Sequence, residues 1–155
     1  MKFYISYFAQ FRNMTPKQIC FSTAIWDPKW FHDFRTQDVK FIKDGKICGL
    51  RMPIFNSRSH ECRGMPCQYL PKSCNFLKSY ALQLSELDFK EIKSTLVDVA
   101  TLAAKELNVD DPDIVLLVHE APDNPCSERS VIMKWFEKNG VKIKEWQKPS
   151  ENNKK

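Results

Sequence analysis

The densest set of reactive and charged side chains is His119-Glu120-Ala121-Pro122-Asp123-Asn124-Pro125-Cys126-Ser127-Glu128-Arg129, directly after the apolar run Ile114–Val118. Asn124 is a favourable N-cap and Pro125 a favourable first helical residue, so a helix is predicted from about Cys126 to Asn139. On that prediction the amides of Cys126, Ser127 and Glu128 lack helical partners. Unpaired amides and the positive end of a helix dipole suit an anion, and Arg129, expected to face outward, would clamp a phosphate or carboxylate. Cys126 would sit where a thiolate is favoured, with Arg129 as oxyanion partner, His119 as base and Glu120 to orient it. The plain alternative is a capped helix with a packed cysteine and with Glu128 and Arg129 in water.

A second cluster is His60, Cys62, Cys67 and Cys74, four soft ligands within fifteen residues. They would suffice for a closed tetrahedral, structural zinc site, and Gly64, Pro66 and Pro71 allow the turns it needs. The spacing is irregular and contains no Cys-x2-Cys pair, so cysteines merely packed beneath a loop are the alternative. Residues 51–74 show no periodicity, and so long a loop is usually functional or pinned.

The elements that must position these residues read as an α/β chain. Phe3–Phe8 and Ile19–Thr23 are β-branched and aromatic and predict strands. Asp27-Pro28 predicts the start of a short helix. Asp44-Gly45 between residues 40–43 and 46–48 is a type I′ hairpin signal. Helices are expected from about Asn75 to Leu84 and from Asp88, with Phe89, Ile92, Leu96, Val99 and Ala103 as a core stripe. Ile114–Val118 is continuously apolar, the pattern of a parallel strand buried on both faces. Gly140 should end the last helix, and Val141–Trp146 should form an edge strand completing a right-handed βαβ unit.

The expected fold is therefore a small Rossmann-like α/β domain, a mostly parallel sheet flanked by helices, with a β-hairpin and a Cys-rich loop insertion. Ligands of such sheets lie beyond the carboxyl ends of the strands. That adds Ser6, Tyr7, Thr23, Trp26 and Asp27 to the candidate mouth, with Tyr7 and Trp26 able to stack on a base.

The chain has 155 residues, 43% hydrophobic and 28% charged, which fits one domain over 1–147 followed by a disordered basic tail, 148–155. It contains no apolar run near the roughly 20 residues that span a bilayer, and Phe3–Phe8 is too short for a signal-peptide core. A cytoplasmic protein is expected, and six cysteines there point to thiols or metal ligands rather than disulfides. The net charge is +5, of which +3 falls after residue 141, leaving too little for a phosphate-tracking face. Nucleic acid is not the expected partner.

Ile114–Glu120 followed by Cys126-Ser127-Glu128-Arg129 resembles the carboxyl-terminal half of the YeaO-like domain-of-unknown-function family. In that family a buried strand ends near a Cys-His-Arg signature that opens a helix. The likeness extends to the two amino-terminal strands, about half the chain. Ser127-Glu128 stands here in place of the histidine, and Ser22-Thr23-Ala24 where the family tends to Asp-Val-Arg. The resemblance implies a Rossmann-like architecture and carries no settled activity. More specifically the chain looks like a bacterial or phage branch, and phage proteins of this size can sequester host signalling nucleotides.

Three functions follow as expectations. The first is a binding protein for a phosphate-bearing, nucleotide-like molecule at residues 119–129. The second is a thiol-dependent enzyme with Cys126 as nucleophile. The third is a zinc-stabilised protein-interaction domain. No Gly-rich phosphate loop or Ser-His-Asp pattern points to a standard nucleotide enzyme.

Overall fold

The computed structural model describes residues 1–24, 27–31, 41–43, 45–52, 74–124 and 126–149. Four strands, β1 (Phe3–Tyr7), β2 (Gln18–Ser22), β5 (Asp113–Val118) and β6 (Ile143–Glu145), form a parallel sheet in the order β2-β5-β1-β6. Ile5 pairs with Leu116 on one side and Glu145 on the other, and Leu116 pairs in turn with Phe21. All six residues of β5 are buried, as its unbroken apolar run requires. Each apolar side chain so buried contributes roughly 1.5–3 kcal/mol.

The hairpin forms as expected, with β3 (Phe41–Lys43) antiparallel to β4 (Lys46–Cys48) and Gly45 at φ +76° in the turn; Asp44 lies outside the described residues. Three helices follow the expected order: α1 (Asn75–Ser85), α2 (Phe89–Glu106) and α3 (Arg129–Lys138). Asp88 caps α2 by accepting from the amides of Lys90 and Glu91. Gly140 takes φ +79° at the end of α3, where Val141 N bonds back to the carbonyl of Phe136.

Strand periodicity divides the core. Ile114, Leu116 and Val118 join Ile5, Phe21, Leu96 and Phe136 in the larger cluster, on the face that the helices cover. Val115 and Leu117 point the other way, to Phe8, Phe11, Phe31 and Trp146. Phe8 opens a short 3-10 helix, Phe8–Asn13, instead of continuing β1.

The crossover from β5 through α3 to β6 forms the expected βαβ unit, with β1 lying between its two parallel strands. One expectation needs correction: Asp27-Pro28 does not begin a capped helix among the described residues. Phe31 N closes one turn on the Pro28 carbonyl, and the Asp27 carboxylate is engaged elsewhere.

Candidate functional site

The carboxyl ends of the strands carry most of the candidate residues, and strand alternation sorts them. Tyr7 of β1 packs against the larger cluster on the helix-covered face, together with the contacts of Glu120, Glu128 and Arg129. His119 falls on the opposite face, its ring 4.8 Å from that of Phe8. Ser6, one residue from Tyr7, is fully buried, and its hydroxyl has no hydrogen-bond partner among the described residues.

The turn into α3 departs from the expected helix start. The helix begins at Arg129, with Glu128 at the N-cap, three residues later than predicted. Asn124 is not that cap; its Oδ1 accepts from the Cys126 amide at 2.9 Å. Its carbonyl accepts from the Ser127 amide at 3.4 Å, and Ser127 Oγ accepts from the Arg129 amide at 3.1 Å. Short polar side chains compete with helix for the backbone, and here they win. The amides of Cys126 and Ser127 are thus consumed within the turn. Cys126, half-buried, precedes the helix and does not occupy its first turn. Pro125 lies outside the described residues.

Arg129 also differs from expectation. It is buried, and its Nε lies 2.6 Å from Glu145 Oε1 of β6. Its Nη2 donates to the Glu120 carbonyl at 2.9 Å, and its guanidinium carbon stands 5.9 Å from the centre of the Tyr7 ring. The reason is the alternation of β6. Glu145 shares a face with buried Ile143 and needs a cation there. Arg129 therefore closes the site from within. Its Nη1 is buried without a hydrogen-bond partner among the described residues.

Glu128 and Glu120 form a carboxyl pair. Glu128 is 6% exposed, and burial, reinforced by the charge of Glu120, pushes its pKa up to about 8. The more buried partner holds the proton at neutral pH. Thr23 works against that rise: its hydroxyl donates to the Leu117 carbonyl at 2.9 Å and also reaches Glu128 Oε1 at 3.5 Å, a contact that favours the charged carboxylate, and burial outweighs it. Tyr80 of α1 adds a fully buried hydroxyl with no hydrogen-bond partner among the described residues. Glu120 Oε1 is likewise buried, with no hydrogen-bond partner among the described residues.

Asp27 is brought close to the strand ends but is already occupied. Its Oδ1 accepts from Ser22 Oγ, and Arg51 Nη2 lies 3.1 Å from its Oδ2. Ser22 in turn bonds through its backbone to Leu50 and Met52, so the pair ties residues 50–52 to the end of β2. Trp26, His60, Cys62 and Cys67 lie outside the described residues. Cys74 is buried at the N-cap of α1, among Phe76 and Leu77. Among the described residues no group of three metal-ligating side chains comes together.

Two members of the site escaped the sequence. Glu145 was detectable as a carboxylate on the inward side of an alternating strand. Tyr80 looked like an ordinary member of an apolar helix face, and nothing local distinguishes it. Among the described residues no helix is long and apolar enough to cross a membrane. No family model matches this chain, and comparison with curated proteins and with solved structures finds no similar one.

Proposed function

We propose that this protein binds a nucleotide-like small molecule at the carboxyl ends of β1, β2 and β5, around Glu120, Glu128 and Arg129. One observation carries the proposal. Glu120 Oε1, Arg129 Nη1 and the Tyr80 hydroxyl are buried polar atoms without protein partners among the described residues, linked through Glu128 and the Glu120 carbonyl. Buried polar groups are nearly always satisfied, so such a group of exceptions suits a ligand.

The charge balance refines the chemistry. The Arg129 guanidinium is already answered by the Glu145 carboxylate, so hydrogen-bond donors on the ligand matter more than its charge. Ribose hydroxyls or base amines would donate to Glu120, protonated Glu128 would donate in return, and an anionic group would reach Arg129 Nη1. Half-buried Tyr7 supplies a ring beside Arg129. Recognition thus moves from the helix amides to side chains. The likeness of 114–129 to the YeaO-like proteins, and sequestration of a signalling nucleotide in a phage setting, belong to the same proposal.

A thermal-shift and calorimetric screen of nucleosides, nucleotides and nucleotide sugars tests it. A true ligand should bind Glu120→Gln about tenfold more weakly, because a charge-assisted contact is lost. A ligand held equally well by Glu120→Gln and by Thr23→Val would move the site elsewhere.

A further inference from the structure

The opposite end of the sheet holds a separate feature. A cavity of about 500 Å³ lies at the amino end of β1, bounded by α2 and the segment that leads from α3 into β6. Four lysines line it: Lys2 before β1, Lys93 on α2, and Lys142 and Lys144 at β6. The register of β1 with β6, Tyr4 opposite Lys144, brings them together from three parts of the chain. No aspartate or glutamate is among the lining residues. None of the four lysine side chains makes an ion pair or hydrogen bond among the described residues. Asp111, near the rim, is met by the Met1 amine at 3.3 Å.

Four ammonium groups with no ion-pair partner among the described residues, set around one concavity, repel one another and raise the local positive potential. A flat charged surface would spread that potential, whereas a cavity concentrates it on a small ligand. Cavities of roughly 300–1,000 Å³ hold small molecules. Half-buried Tyr4 forms part of the wall, with ring surface for a group attached to the anion.

We propose that this cavity binds the oligophosphate chain of a small molecule, at a site separate from the one formed by Glu120, Glu128 and Arg129. Tripolyphosphate is the first probe and a nucleoside triphosphate the second, by calorimetry on the full chain at about 0.15 M salt. Tripolyphosphate should bind, and the Lys142→Glu/Lys144→Glu variant should bind at least tenfold more weakly with an unchanged melting temperature. Lys105→Glu/Lys134→Glu makes the same charge change at exposed positions outside the cavity and should keep parental affinity. Glu120→Gln should keep it too, so failure of the carboxyl-end site leaves this test intact. Tighter binding of the triphosphate, lost in Tyr4→Leu, would identify a nucleotide; equal binding of both would identify the phosphate chain alone. Absence of binding at this salt, equal weakening by the control pair, or tighter binding of a single-stranded oligonucleotide through the same lysines would overturn the proposal.

Discussion

Arg129 Nε and Glu145 Oε1 approach to 2.6 Å and join the first residue of α3 to the last residue of β6. Burial pushes the Glu145 pKa up, and the Arg129 charge and hydrogen bond oppose that rise. Removing the arginine leaves a carboxylate partly buried without its cation. Arg129→Ala should therefore destabilise by about 3 kcal/mol or more in denaturant titration. Adding Glu145→Ala should recover part of that loss, since the stranded charge goes with it. Strictly additive effects would show that the two side chains do not act as a pair.

Glu128 should make stability fall as pH rises. Its folded pKa is about 8 against an ordinary 4.5, so the native state binds more protons between those values. Its neutral form carries no penalty below about pH 4.5, and the penalty grows to its full size above about pH 8. Glu128→Gln keeps the shape and cannot ionise, so its melting temperature should decline less than that of the parent between pH 5 and about 9. Parallel melting curves for the two proteins across that range would place the proton elsewhere.

Asp27 depends on Arg51 in the same way. Its side chain is fully buried, while Arg51 is only partly so. Arg51→Ala should cost about 3 kcal/mol, and Arg51→Lys should restore some of it, because charge survives and fork geometry does not. Amide exchange at Ser22 and Met52, whose backbones are bonded there, should quicken in Arg51→Ala. Unchanged protection at both amides would disconnect the ion pair from the strand end.

Thiol labelling should separate the described cysteines by burial. Cys20 is fully buried, and desolvation pushes its thiol far above the usual range, so it should resist alkylation in the native protein. Cys126 is half-buried at the turn and should react before Cys20. Mass spectrometry finding Cys126 as resistant as Cys20 would remove thiol chemistry from this turn.

Local sequence determined the strands and helices because their signals are periodic and close at hand. The unbroken run Ile114–Val118, the Asp88 cap, Gly140 after α3 and the hairpin around Gly45 each depend on neighbouring residues, and each appears in the fold. The region of the site was legible as well, since a parallel strand followed by a polar turn and a helix marks a carboxyl edge. Its wiring was not. Asn124 and Ser127 are good helix caps and equally good turn formers, and which role they take depends on where α3 is held by packing. Arg129 had an exposed-looking address until β6 brought Glu145 onto the same face, across β1 from β5. The carboxyl pair of Glu120 with Glu128 and the approach of Thr23 and Tyr80 join residues far apart in the chain. Only the order of strands in the sheet put them together, and the desolvation that keeps Glu128 protonated exists only once that order has formed.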